Sequence, residues 1–385
     1  MTIGIIGEYN PFHNGHLYHL NKIKELFPNC LIILIMSGNI TQRGDISIID
    51  KWDKTDIALK HGIDLVIELP FYYVCNSSDI FAKGAISLLN ELKVDKIVFG
   101  SETNNIEQLK QLADKQINNN EYQAITKKYL NSGLNYPTSC SKALYDLTDI
   151  NINQPNDLLG LSYVKEIKLQ NANIDPICIK RTNDYNSKEL SNGITSATSI
   201  RLAIKEKKDI SSYVPKYTLK FLNDIKYLDD YFPLIKYQIL SNDISDIYQM
   251  NEKIKNRIYK YIKNSFSLEE LIQNVKTKNY TYNRLKRLLI YILFHITNND
   301  INNFKNYIRI LGFNDLGQKY LNKIKKDISL PLITNYSNSK GLLELDLKIN
   351  SILCSILPVD KQIIEIKKEY TEKIKKNIDI DNNIC

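Results

Sequence analysis

Ile3-Gly4-Ile5-Ile6-Gly7-Glu8-Tyr9-Asn10-Pro11-Phe12-His13-Asn14-Gly15-His16-Leu17-Tyr18-His19-Leu20 is the stretch from which the rest of the chain can be read. Ile3–Gly7 is a short apolar run, consistent with a strand buried on both faces. Asn10 and Pro11 punctuate a loop, and a helical pattern runs from Gly15 to Leu26. A strand, a loop and a helix in that order form the opening of a parallel α/β fold.

The same rhythm continues outward. Further apolar runs at Leu31–Met36, Leu65–Leu69, Lys96–Gly100 and Pro176–Lys180 read as strands. Helical patterns lie between them at Lys51–His61, Ser77–Leu92, Ile106–Leu130 and Pro155–Lys168. Buried strands separated by amphipathic helices indicate a sheet covered on both sides. After Arg201 helical patterns dominate, and Tyr213-Val214-Pro215 marks a boundary because proline disfavours helix at the residue before it. The expected architecture is therefore a Rossmann-like parallel-sheet domain over residues 1–213, followed by a mostly helical, basic domain over 214–385. Ser267 and Glu270 read as a capping box within that second part. Tyr307–Thr334 reads as a local strand–helix–strand unit, and the chain after about Ile374 is expected to fray.

Composition narrows the class. The chain has 385 residues and a formal net charge of +8. Residues 1–200 hold 19 Lys and Arg against 22 Asp and Glu, whereas residues 201–385 hold 32 against 21. Such asymmetry fits either a polyanion-binding second half or a solvated lysine-rich surface. The six cysteines, Cys30, Cys75, Cys140, Cys178, Cys354 and Cys385, form no CxxC pair, so neither a disulfide scaffold nor a zinc knuckle is expected. No signal peptide is visible after Met1, and Leu288–Ile296 is too short to span a bilayer. A cytoplasmic protein without membrane contact is expected.

His13-Asn14-Gly15-His16 carries the chemistry. At a helix start, free backbone N–H groups and the positive end of the helix dipole favour phosphate. His13 and His16 would both reach an α-phosphate and spread the charge that builds there during displacement. Gly15 removes a Cβ from the line of approach, and Pro11 stiffens the turn. This supports in-line attack on the α-phosphate of ATP, through positioning and positive electrostatics rather than a protein nucleophile. Two other readings of the pair stay open: structural histidines, or metal ligands if a third joins them. Downstream, Ser196-Ala197-Thr198-Ser199-Ile200-Arg201 opens another helix. Ser196 and Thr198 are either ordinary caps or phosphate donors, with Arg201 on the outer phosphates.

His13–His16 with the later Ser-x-Thr-x-Ile-Arg resembles the HIGH-motif nucleotidylyltransferases. Longer strings narrow the resemblance: Gly7–His16, Met36-Ser37-Gly38, Gln42-Arg43-Gly44, Asp64–Pro70, Asp79–Ala85, Phe99–Glu102, Gln154-Pro155-Asn156, Ile179–Thr182 and Tyr280–Leu289 are similar to those of the bacterial tRNA(Met) cytidine acetate ligases. The likeness is densest over residues 1–201, and Asn183-Asp184-Tyr185 reads as a shortened version of the family's segment. It implies that acetate attacks ATP to give acetyl-adenylate and pyrophosphate, after which the wobble cytidine of elongator tRNA(Met) takes the acetyl group and AMP leaves. It further implies that ATP, with Mg²⁺ on the triphosphate, lies along Gly7–Leu20, with Gly100, Asn156 and Arg181 completing the site. No stable protein partner is implied.

For the RNA, the best basic patch is Lys276, Lys278, Arg284, Lys286 and Arg287 with Tyr280 and Tyr282, able to track phosphates and stack an unpaired base. A packed helix with a basic solvent face would look the same. The competing functions are a cofactor adenylyltransferase, of the pantetheine-phosphate or nicotinamide-mononucleotide type, and a non-catalytic RNA-binding protein. Glu8, Asp64 and Glu68 could be structural, and no carboxylate is assigned as a base.

Overall fold

The computed structural model describes residues 1–181 and 194–377. Thr182, the shortened segment Asn183–Tyr185 and Cys385 lie outside the described residues.

Five strands, β1 (Thr2–Gly7), β2 (Leu31–Ser37), β3 (Leu65–Leu69), β4 (Lys96–Ser101) and β5 (Asp175–Lys180), form a parallel sheet in the order β5-β4-β1-β2-β3. The helices between them are α1 (Asn14–Leu26), α2 (Lys51–Lys60), α3 (Phe71–Val74), α4 (Ser78–Glu91), α5 (Ile106–Asn118), α6 (Asn120–Asn131), α7 (Tyr136–Thr148) and α8 (Pro155–Leu169). Strand residues alternate between two cores. Ile33 and Ile35 pack with Phe81, Ala85 and Val164 on one face, while Ile32 and Leu34 pack with Leu20, Ile23 and Ile57 on the other.

The helix expected as one piece over Ile106–Leu130 divides at Asn119. Its side chain accepts from the N–H groups of Glu121 and Tyr122 and starts α6, an asparagine competing with the helix it interrupts. Neither α3 nor α7 was anticipated. The Ser267 cap forms as expected, but Glu270 accepts from the Phe266 N–H rather than from Ser267 itself.

The second half is helical through α9 (Ala197–Lys205), α10 (Lys216–Leu219), α11 (Phe232–Ser241), α12 (Glu252–Ile262), α13 (Leu268–Val275), α14 (Tyr282–Leu293) and α15 (Asn298–Asn302). Ile235, Ile258, Leu271 and Leu289 make a third core, and Ile40, Ile46, Phe71 and Cys75 of the first half join it. The chain then returns to the sheet. The expected strand–helix–strand unit is present as β6 (Ile308–Phe313), α16 (Asp315–Ile324) and β7 (Leu332–Ile333), and β6 lies antiparallel against β3. Two more helices, α17 (Glu344–Cys354) and α18 (Val359–Thr371), precede β8 (Lys375–Lys376), which pairs with β6. Fraying from Ile374 therefore does not hold for Lys375 and Lys376. Among the described residues, the segments before and after Tyr213 share one eight-stranded sheet.

A ring of buried charge welds that joint. The antiparallel register sets Arg309 of β6 opposite Glu68 of β3, with 3.1 Å between Nη1 and Oε2. Lys51 of α2 lies 3.1 Å from Glu68 and 2.8 Å from Glu369 of α18, which also pairs with Arg309 at 2.7 Å. Asp346 of α17 accepts from the Tyr307 hydroxyl at 2.9 Å, and burial among the other carboxylates raises its pKa to about 6. Burying charge is tolerated here because each member has an opposite partner or a hydrogen bond.

Candidate active site

From β1 the chain steps outward to β2 and β3, then returns to the other side of β1 for β4 and β5. Where the winding reverses, loops at the carboxyl ends of neighbouring strands diverge and leave a crevice. A cavity of about 280 Å³ lies there. Gly7 at the end of β1, Gly100 near the end of β4 and Arg181 just after β5 all line it.

Of the Gly7–Leu20 stretch, Gly7, Glu8, Tyr9, Asn10, His13, Gly15, His16, Tyr18 and His19 line the cavity. Phe12 and Leu20 are fully buried in the core behind it, and neither Pro11 nor Leu17 is among the lining residues. Asn14 also points elsewhere, its side chain donating to the Ser212 carbonyl at 2.9 Å. The more distant residues Gly100, Asn156, Arg181, Ser196, Thr198 and Arg201 all reach the same cavity.

His13 caps α1. Its Nδ1 accepts from the Gly15 N–H at 3.0 Å, and the Nδ1 of His16 accepts from the His13 N–H at 3.3 Å. A ring nitrogen that accepts carries no proton, so each neutral ring holds its hydrogen on Nε2. The two rings lie 3.9 Å apart between centroids. A Cβ at Gly15 would come within 2.7 Å of the His13 ring, so a larger residue there would have to displace it. Burial, then the Arg181 and Arg201 charges, lower the His13 pKa to about 3. Burial and His13 itself hold His16 well below the ordinary range, and burial with Arg181 lowers His19 to about 4. At neutral pH these imidazoles are therefore uncharged donors. The fixed positive charge of the lining lies on Lys180, Arg181, Arg201 and Arg43.

Two buried N–H donors in this lining, Asn10 Nδ2 and Arg181 Nε, have no hydrogen-bond acceptor among the described residues, Arg181 Nε lying 3.9 Å from the Glu102 carboxylate. The buried ring nitrogen His19 Nε2 has no hydrogen-bond partner there either. Leaving such groups unpaired costs about 1–3 kcal/mol each, so the cavity is built for a ligand rich in acceptors. Among the described residues no group of three or more His, Cys, Asp or Glu is placed to hold a metal ion. Mg²⁺ arriving with a triphosphate would rely on phosphate oxygens and water.

At the second helix start, Ser196 is an ordinary cap: its hydroxyl accepts from the Ser199 N–H at 3.1 Å. Arg201 donates to the Asn10 carbonyl at 2.7 Å and to the Thr198 hydroxyl at 3.2 Å, strapping α9 to the first loop.

Sequence reasoning left out the 41–45 loop, although Gln42-Arg43-Gly44 belonged to the resemblance. Thr41, Gln42, Arg43 and Asp45 line the cavity, and Glu8 accepts from the Gln42 N–H at 2.6 Å. Lys54 was missed too. Fully buried, it donates to the carbonyls of Glu8, Ser37 and Gly38 at 2.7–3.0 Å and so ties the ends of β1 and β2 together. Burial lowers its pKa to about 8. Asp64 and Glu68 are structural: Asp64 accepts from the Ile32 N–H and from Asn314, and Glu68 belongs to the charge ring.

The basic patch is divided. Gly44, at φ +79°, lies so close to α14 that a Cβ there would meet the Arg287 nitrogen at 2.8 Å. Lys286 pairs with Asp45, and the Tyr282 hydroxyl donates to Glu269. Lys276 and Lys278 remain exposed, and half-buried Arg284 stacks on Tyr280 at 5.2 Å. The patch thus borders the loop that lines the cavity, with some of its members used for packing. Among the described residues no helix is long and apolar enough to cross a membrane.

A family model described as HIGH Nucleotidyl Transferase matches residues 1–369. The chain is 39% identical over 392 residues to the tRNA(Met) cytidine acetate ligase of Fusobacterium nucleatum, covering 96% of each chain. To the protein of that name from Caldanaerobacter subterraneus it is 40% identical over 363 residues, covering 89% of this chain and 90% of the relative. Among solved structures, apo TmcAL of Thermotoga maritima matches with a TM-score of 0.90 at 28% identity, over 97% of this chain and 99% of that one. The same protein bound with alpha-thio ATP matches with a TM-score of 0.87 at 28% identity, over the same shares.

Proposed function

The chain belongs to the HIGH nucleotidyl transferase family, and from that premise we propose that it is an ATP-dependent tRNA(Met) cytidine acetate ligase. One observation carries the reading: a chain that matches ligases of this name along almost its whole length has buried N–H donors without acceptors at its switch-point cavity. Acetate attacks the α-phosphorus of ATP, the bond to the bridging oxygen of pyrophosphate breaks, and acetyl-adenylate forms. The exocyclic amine of the wobble cytidine in elongator tRNA(Met) then attacks the acetyl carbon, losing a proton as AMP leaves.

In this reading His13 and His16 donate from Nε2 to α-phosphate oxygens, where negative charge concentrates during attack, and Arg181 and Arg201 supply the cationic field. Bound phosphate would raise the pKa of both rings, so they can take on charge as the transition state forms. Lys276, Lys278 and Arg284 would hold tRNA backbone beside the cavity mouth, and the cytoplasm is where these substrates meet. Nothing about the cavity favours a cofactor adenylyltransferase specifically.

Incubation with ATP, labelled acetate and bulk tRNA tests the proposal. Label should enter tRNA only when ATP is present. ATP–pyrophosphate exchange that needs a phosphorylated small molecule instead of acetate would replace it with the adenylyltransferase reading.

A further inference from the structure

Glu102 follows β4 directly, and its side chain is only 14% exposed. One carboxylate oxygen, Oε1, accepts from Asn156 Nδ2 at 2.5 Å; the other, Oε2, accepts from the Asp157 N–H at 3.0 Å. The clasp is reciprocal, since the Asp157 carboxylate accepts from the N–H groups of Glu102 and Thr103 and from the Ser101 hydroxyl. Both acids sit at the start of α8, where the helix dipole favours negative charge.

A carboxylate only accepts. It therefore forces the Asn156 amide to turn its NH₂ toward Glu102, and Oδ1 is left without a partner among the described residues. Asn156 thus presents an acceptor to the cavity it lines. One helical turn on, Leu159 shares its face of α8, and Phe99 and Ile179 add apolar lining. An acceptor beside an apolar wall suits the edge and face of a flat base better than a ribose.

We propose that Glu102, by fixing the orientation of the Asn156 amide, makes the site read the 6-amino group of adenine and reject purines that carry a 6-oxo group. Glu102 is a positioning residue here, and the inference rests on the ATP reading above. Glu102→Gln makes the case sharp. The Asp157 N–H can only donate, so it keeps the glutamine oxygen, and the glutamine NH₂ then faces Asn156. The Asn156 amide must invert and present its own NH₂ to the ligand, which suits a 6-oxo group.

The test is competition between ATP and ITP, with binding of each measured on the full chain. The wild type should bind ATP at least about tenfold more tightly than ITP, and Glu102→Gln should cut that preference by roughly tenfold or more while melting as the wild type does. Equal binding of the two nucleotides by the wild type, or an unchanged preference in folded Glu102→Gln, overturns the proposal. If Glu102→Gln does not fold, Asn156→Ala must level the two nucleotides, and a preference that survives it overturns the proposal equally. A wild type that binds neither nucleotide defeats the ATP reading itself, which separates the two failures.

Discussion

Two polar regions are buried in this molecule about the same sheet, and they are finished differently. In the ring of Lys51, Glu68, Arg309, Glu369 and Asp346, each charge meets an opposite charge or a hydrogen bond within the protein. In the cavity at the end of β1, Asn10 Nδ2 and His19 Nε2 have no hydrogen-bond partner among the described residues, and Arg181 Nε has no hydrogen bond, only the Glu102 carboxylate 3.9 Å away. Both regions carry the cost of desolvation; the ring recovers it through close ion pairs, Arg309 Nη1 relying on Glu68 at 3.1 Å without a hydrogen bond, whereas the cavity recovers less. A buried polar group that closes on itself holds the fold; one left open awaits a ligand. By that criterion Glu68, which sequence alone left open as a carboxylate of interest, belongs to the fold, and His19 belongs to the site.

The contrast is most exposed to attack through the ring. Lys51→Ala leaves Glu68 and Glu369 short of a cation and should destabilise the protein by about 3–5 kcal/mol in urea unfolding. A loss below about 1 kcal/mol would mean the ring is not the joint between the two segments. On the cavity side, His16→Ala should slow acetyl-adenylate formation by about 10²–10³-fold, the usual consequence of removing one donor to a developing oxyanion, and leave tRNA binding intact. An unchanged rate would remove the histidine from the chemistry.

Acid separates the regions next. His13 and His19 have folded-state pKa values of about 3 and about 4, below the ordinary 6.5, so beneath pH 6.5 the unfolded chain binds more protons than the folded one. Their stability contribution is full above about pH 6.5 and is lost as pH falls toward 4. The slope is on the order of 1 kcal/mol per pH unit for each ring, less where cavity water screens it. Asp346, raised to about 6, works in the opposite sense over the same range. The comparison of wild type with His13→Asn isolates the histidine: the wild type should lose more stability between pH 7 and pH 5 than the variant. Equal losses would contradict the neutral-donor assignment. The smallest effect is at the rim, where Arg284→Glu should weaken tRNA binding by about tenfold, more at low salt than at high, and leave ATP affinity alone.

How far the sequence reached follows the same division. Strands β1 to β5 were legible because continuous apolar runs have few other uses, and His13–His16 was legible because a histidine pair at a helix start is a compact local signal. The ring was not, because Glu68 and Arg309 are 241 positions apart and only the antiparallel register of β3 and β6 brings them together. Asn119 hid a helix break inside a helical pattern, as a residue able to cap either state will. The 41–45 loop gave a string without a role, since its place at the cavity depends on Lys54 and on Gly44 meeting α14. The charge state of the histidines was not legible at all, because burial, invisible in a linear reading, sets it.

The position of an unreacted triphosphate is the most direct measurement. A crystal of this protein grown with a non-hydrolysable ATP analogue should show Nε2 of His13 and of His16 within hydrogen-bonding distance of α-phosphate oxygens, with the Lys51–Glu68–Arg309–Glu369 ring unmoved. A nucleotide bound elsewhere, or imidazoles turned away from it, would contradict the assignment of the cavity.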